Sequence, residues 1–109
     1  MNREARIGMN EAVFRDVNER IQDVASAFDL TSEPLDLICE CGDASCVDRI
    51  SVSPDEYEGI RADPQLFAVA PGHEAPDVED IVEKRRGYDI VRKREGTPAA
   101  IARSTDPRS

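Results

Sequence analysis

Three cysteines and one histidine are the side chains of this sequence that most clearly suggest a metal site. Cys39, Cys41 and Cys46 lie within eight residues, and His73 is the only histidine of the chain. Three thiolates and a neutral imidazole are a common ligand set for tetrahedral Zn²⁺. Four protein ligands complete the coordination, which is typical of structural zinc, since catalytic zinc keeps a position for water. The sequence therefore predicts one Zn²⁺ per chain, bound by these four residues.

The spacing of the ligands predicts how the chain presents them. Alternate side chains of a strand point the same way, so Cys39 and Cys41 could direct both sulfurs at one point. A turn over residues 42–45 would return Cys46 across a hairpin, and His73 would come from a separate loop. The metal would then close a long loop, where a cross-link removes much unfolded-state entropy.

Other chemistries fit these residues less well. Three cysteines and one histidine also bind [2Fe–2S] clusters in CDGSH-type proteins, but those place the last cysteine and the histidine close together, whereas Cys46 and His73 are 27 residues apart. Buried, metal-free cysteines beside an ordinary surface histidine remain an alternative. Glu40, Asp43 and Asp48 could serve as a general base if a ligand position opened, but we interpret them as a solvated acidic rim.

Length and charge limit the class of protein. The 109 residues suit one domain, and an odd number of cysteines favours a reducing compartment. The N-terminal residues are charged, unlike a signal peptide, and the apolar runs are too short to span a bilayer, so we expect a cytoplasmic protein. Residues 1–83 hold 20 acidic and 6 basic side chains, which disfavours nucleic acid and anionic membranes. We interpret the basic segment 84–94 as a solvated rim.

The pattern of apolar residues predicts an N-terminal helix over residues 10–28, with Asn10 as N-cap. Its apolar stripe could be a dimer seam or a face for a partner helix, but we expect it to pack on the domain's own sheet. The stripe consists of Val13, Val17, Ile21, Val24 and Phe28.

The remaining elements predict an α+β fold in which this helix packs on a small, mainly antiparallel sheet of about four strands. Residues 29–34 read as a linker, 35–41 and 47–52 as the metal-bound hairpin, and 66–70 and 88–91 as further strands. Ser53-Pro54 begins a short helix, and residues 78–82 read as helical turns closed by Gly87. Residues 1–95 would form one zinc-stabilised domain, and 96–109 a loosely held tail or a weak helix.

Several short segments carry a resemblance to a group of small, uncharacterised bacterial proteins, covering most of the chain. The resemblance implies only a coherent domain and the same four metal ligands, Cys39, Cys41, Cys46 and His73. The segments are residues 10–15, Cys39-Glu40-Cys41-Gly42 with Cys46, 56–64, Val69-Ala70-Pro71-Gly72-His73-Glu74, and 105–108.

These patterns together predict a non-enzymatic protein whose structural zinc holds a protein-interaction or regulatory module. The partner would be another protein, not nucleic acid or membrane, and a homodimer through the N-terminal helix is one option. The alternatives are a redox- or metal-responsive switch, a [2Fe–2S] protein and a zinc enzyme.

Overall fold

The computed structural model describes residues 2–28 and 33–108, so most of the linker expected at residues 29–34 lies outside the described residues. Three helices and five strands follow one another along this part of the chain. In order they are α1 (Arg3–Ala27), β1 (Leu35–Ile38), β2 (Arg49–Val52), α2 (Pro54–Arg61), β3 (Leu66–Val69), β4 (Glu79–Arg85), β5 (Tyr88–Lys93) and α3 (Thr97–Ser104).

The strands form two antiparallel sheets, which confirms the α+β class, with five strands where about four are predicted. β1 and β2 make a hairpin in which Leu35 faces Val52, and the second sheet has the order β3-β5-β4. The chain leaving β1 joins the two sheets, because Glu40 N–H donates to Ala68 O at 2.9 Å. The expected metal-bound hairpin therefore lies against β3.

Helix α1 is longer than predicted, and it presents the opposite face to the domain. It begins at Arg3, where Asn2 as N-cap accepts a hydrogen bond from the Ala5 N–H, and not at Asn10. The prediction that the apolar stripe packs on the sheet is wrong, although Ile21 is partly buried. The outer side chains, which we call the exposed stripe, are 43% (Met9), 58% (Val13), 39% (Val17), 57% (Val24) and 72% (Phe28) exposed.

Polar side chains hold the inner face of α1 instead. Arg15 is fully buried, donates to Pro64 O at 2.7 Å and to Ala102 O at 2.9 Å, and lies over the Phe67 ring. Buried Arg61 of α2 pairs with Glu19 of α1 at 2.5 Å. Buried polar groups are tolerated when their partners lie within hydrogen-bond reach, which is why periodicity alone assigned the wrong face.

The segment predicted as helical turns near residues 78–82 is the edge strand β4, so that prediction is also wrong. Arg85 pairs with Tyr88 across a two-residue turn in which Gly87 has φ +87°. Such a turn joins two antiparallel strands, and Gly tolerates the positive φ that it requires. Gly87 therefore closes a hairpin and not a helix.

Residues 96–108, where the sequence predicts a loose tail or a weak helix, contain α3. Its buried alanines, Ala99 and Ala102, let it pack closely. A Cβ at Gly8 of α1 would lie only 2.7 Å from Ile101 Cγ2, so the two helices approach closely there. Beyond α3, Arg108 Nε donates to Glu19 Oε1 at 2.8 Å and ties the C-terminal segment to α1.

A buried charge cluster couples α1 to the second sheet. Lys93 Nζ lies 2.6 Å from Glu11 Oε1 and 2.9 Å from Glu79 Oε1, so one cation serves two carboxyl groups. Glu11 Oε2 is buried with no hydrogen-bond partner among the described residues. Burial, together with repulsion from Glu79 and against the attraction of Lys93, raises the pKa of Glu11 well above its ordinary value.

Replacing Glu11 by Gln should flatten the pH dependence of stability. A raised pKa in the fold means that the native state binds the proton more tightly, so this stabilisation is complete below pH 4.5 and is lost as pH rises through the raised pKa. Glu11→Gln cannot ionise, so its free energy of unfolding should fall less than that of the wild type between pH 5 and pH 8. Urea denaturation at both pH values measures this.

Glu4→Gln, at an exposed position of the same helix, is the matched control and should follow the wild type. Parallel stability curves for Glu11→Gln and the wild type would contradict this account of the cluster.

Candidate metal centre

The four predicted ligands meet at one point of the structure. The ligand atoms of Cys39, Cys41, Cys46 and His73 all lie within 4.8 Å of one another. The first two side chains are buried, and the other two are partly exposed. The cluster could therefore bind a metal ion.

The distances within the cluster resemble the edges of a coordination tetrahedron. His73 Nδ1 lies 3.6 Å from Cys39 Sγ and 3.6 Å from Cys46 Sγ. Metal–sulfur and metal–nitrogen bonds of about 2.3 and 2.05 Å, at tetrahedral angles, put sulfur and nitrogen about 3.6 Å apart. His73 Nδ1 therefore lies at the distance from both sulfurs that coordination of one ion requires.

Asp48 orients the histidine ring. Its Oδ2 lies 3.1 Å from His73 Nε2, on the side of the ring opposite to the sulfurs. A carboxylate that accepts from Nε2–H leaves the lone pair of Nδ1 free for a metal. Sequence reasoning interpreted Asp48 as part of an acidic rim, with a general base as the alternative. The signal for its contact with His73 is that it follows Cys46 by two residues and directly precedes β2.

The loop that carries His73 is fixed to the cysteine segment by backbone groups. Ala70 N–H donates to Cys39 Sγ at 3.1 Å, and His73 N–H donates to Ala70 O at 3.0 Å. Gly72 between them has φ +85°, a conformation that side-chain-bearing residues rarely adopt. A tight turn at the end of β3 thus delivers the imidazole to the sulfurs.

Burial disfavours ionisation of two of the thiols, those of Cys39 and Cys41. Desolvation raises the pKa of Cys39 far above its usual range, the Ala70 N–H opposes this, and the neighbouring thiols add to it. Desolvation also raises the pKa of Cys41. A bound divalent cation would supply the positive charge that three closely spaced thiolates require, and its binding would release protons.

Glu40 corrects the prediction of a solvated acidic rim, since it is fully buried between the two ligands Cys39 and Cys41. Its carboxylate accepts from Asn18 Nδ2 and Tyr57 Oη, each at 2.8 Å, and from Ala68 N–H at 3.0 Å. These donors belong to α1, α2 and β3. Glu40 therefore faces these three elements and anchors to them the segment that carries the candidate ligands.

Asp43 and Asp48 do lie at the surface, as the rim interpretation predicts. Asp43 accepts hydrogen bonds from Ser45 N–H at 2.9 Å and from Ser45 Oγ at 2.7 Å. It shapes the turn between the second and third cysteines, because an aspartate that accepts from residue i+2 stabilises such turns.

Helix α1 also touches the ligand turn directly. Asn10 Nδ2 donates to Gly42 O at 2.8 Å. A Cβ at Gly42 would lie 2.4 Å from Ile7 Cγ2, so glycine is needed there for the close approach of the helix. The predicted N-cap, Asn10, is thus a residue within the helix, and its side chain binds the turn between Cys41 and Cys46.

A cleft of about 450 Å³ opens beside the cluster. Cys41 and His73 form part of its wall, together with Arg3, Ile7 and Glu74. The cleft gives small solutes a route to the edge of the sulfur–imidazole cluster. It contains no second histidine or cysteine, since the chain has none outside the cluster.

Comparison of the chain with protein-family models, curated proteins and solved structures gave no match. In the part of the chain that the structure describes, no helix combines the length and apolar character needed to cross a membrane. The site must therefore be interpreted from its own geometry.

Replacing Glu40 by Gln should destabilise the whole domain. One carboxylate oxygen accepts two donors and the other accepts one, and an amide would turn an N–H group towards at least one of them. An unsatisfied buried donor costs about 1–3 kcal/mol. We expect a loss of this size in the free energy of unfolding of metal-loaded protein, measured by urea denaturation.

The control for this experiment is Glu33→Gln, because Glu33 is exposed. If Glu40→Gln unfolds at the same urea concentration as Glu33→Gln, the anchoring role is refuted.

Proposed function

We propose that this is a small zinc-binding protein whose Cys₃His site is structural and holds a protein-interaction or regulatory module in its folded form. The single observation that carries the proposal is the meeting of Cys39, Cys41, Cys46 and His73 within 4.8 Å. Four protein ligands fill a tetrahedral ion, so no position is left for substrate or for an activated water.

Zinc fits the ligand set better than an iron–sulfur cluster. A [2Fe–2S] cluster has two irons, each with its own pair of protein ligands, so it needs the two pairs to be separated. Here His73 Nδ1 is equally close to Cys39 and Cys46, at 3.6 Å from each sulfur. That arrangement suits one ion, and zinc prefers thiolate and imidazole ligands in tetrahedral geometry.

The position of the site supports a structural role. The metal would link the β1–β2 hairpin to the loop after β3, which are 34 residues apart at Cys39 and His73. The aromatic content of the domain is low, with no Trp, three Phe and two Tyr, so a cross-link between the two sheets would add much to its stability. The interaction or regulatory role rests on the absence of an open ligand position and on the exposed apolar surface of α1.

Removing one ligand or the metal should lower the melting temperature. We expect the wild type, purified without oxygen, to be colourless with one zinc per chain. We expect His73→Ala, or a strong chelator, to lower the melting temperature by at least about 10 °C, because a ligand bound only by the native state stabilises it by mass action. Elemental analysis and calorimetry measure the two quantities.

Val47→Ala is the control, since Val47 is 84% exposed beside Cys46 and its truncation should leave both quantities unchanged. Brown protein that contains iron would refute the zinc proposal. If His73→Ala had the melting temperature of the wild type and still bound one zinc per chain, His73 would not be a ligand.

A redox-responsive switch is the second candidate, favoured by the cleft beside Cys41 and by the partial exposure of Cys46. Two thiolates would give two electrons to hydrogen peroxide, forming one disulfide and two hydroxide ions. Loss of two sulfur ligands would release the zinc and loosen the link between the sheets.

A switch should release its zinc at a small molar excess of peroxide, with a Cys41–Cys46 disulfide found by peptide mass mapping. Dithiothreitol with added zinc should then restore the original melting temperature. Zinc that stays bound under this treatment would exclude the switch and leave the structural proposal intact.

A further inference from the structure

The exposed stripe of α1 is an apolar surface that the fold of the described residues leaves in solvent. Its residues, Met9 to Phe28, span 19 helical steps, or about 28 Å at 1.5 Å per residue. Single exposed apolar residues are ordinary, but five on one side of a helix, interrupted only by Arg20, point to an interaction site. The opposite face is already committed to the domain through buried residues such as Arg15 and Asn18.

We propose that this stripe pairs with the same stripe of a second copy of the chain, with the two α1 helices antiparallel. A two-fold axis that passes between residues 18 and 19 of both helices places Met9 opposite Phe28 of the other copy. The same axis places Val13 opposite Val24. The stripe is therefore complementary to itself, as a two-fold symmetric interface requires. A thioether against an aromatic ring is a favourable end contact.

The charges beside the stripe fit the same arrangement. At about 3.6 residues per turn, Arg20 projects on the face of the stripe and Asp16 at its edge. They pair within the helix at 3.3 Å, with both side chains about half or more exposed. In the antiparallel pair, Asp16 of one copy comes beside Arg20 of the other, twice by symmetry. In a parallel pair this side of the helix would face the opposite side of the other helix, so Asp16 and Arg20 would not meet across the interface.

The second copy is a better occupant than a membrane. The chain has a net charge of −9, and Asp16 and Asp23 flank the stripe, so anionic lipid would repel it. The strip is about one helix wide, so the buried area lies at the small end of specific interfaces. We expect a dissociation constant in the micromolar range.

Analytical ultracentrifugation of the zinc-loaded, full-length chain from low micromolar to high micromolar concentration tests the proposal. The wild type should pass from monomer to dimer over this range. Val13→Glu with Val24→Glu should stay monomeric at every concentration, because four glutamates would face one another in the pair. Glu is also a better helix former than Val, so the fold should survive the change.

Charge exchange tests the orientation of the helices. Arg20→Glu should weaken dimerisation about tenfold or more, and Asp16→Arg with Arg20→Glu should restore it. The expected circular dichroism, zinc content and melting temperature equal those of the wild type for all variants, which separates this proposal from that of the zinc site.

A wild type that stays monomeric at the highest concentration overturns the proposal, as does a dimer that persists in the double glutamate variant. A wild type that remains monomeric and co-migrates with vesicles of zwitterionic or anionic lipid in a flotation assay overturns it, and shows that the stripe binds membranes instead. Dimerisation unaffected by Arg20→Glu overturns the antiparallel arrangement.

Discussion

The hydrogen bonds to the buried carboxylate of Glu40 hold α1, α2, the second sheet and the cysteine segment together. The carboxylate receives hydrogen bonds from Asn18 of α1, Tyr57 of α2 and the Ala68 N–H of β3. Its chain neighbours on both sides are the candidate metal ligands Cys39 and Cys41, so the residue that links three elements also positions two sulfurs. Burial raises the pKa of Glu40, and the hydrogen bonds from Ala68, Asn18 and Tyr57 oppose this rise by stabilising the carboxylate. The candidate metal centre and the core therefore depend on the same hydrogen bonds.

The same reliance on polar contacts explains the unusual use of α1. Arg15, Asn18 and Glu19 face inward because each has a partner in the interior. The partners are backbone carbonyl groups for Arg15, Glu40 for Asn18 and Arg61 for Glu19. The apolar side chains of the helix are displaced to the outside as a consequence. Hydrogen bonds and ion pairs thus hold the inner face of α1, and the outer face keeps exposed apolar side chains.

The sequence predicts some features well, because they are set by residue type within a few positions. The hairpin and the start of α2 at Ser53-Pro54 are of this kind, and the structure agrees with both. It also brings the four candidate ligands together. Which face of α1 packs inward could not be predicted, because periodicity defines two faces and distant partners choose between them. Likewise β4 depends on pairing with β5, and the burial of Glu40 depends on donors up to 28 residues away. Both are tertiary effects.

The proposed site holds one zinc ion by three sulfurs and one imidazole, with no bound solvent. X-ray absorption at the zinc edge of the purified, metal-loaded protein measures these neighbours. We expect three sulfurs at about 2.3 Å and one nitrogen at about 2.0–2.1 Å, with multiple-scattering features of an imidazole ring. Fewer than three sulfurs, a bound water in place of the imidazole, or an iron–iron distance at the iron edge would contradict this proposal.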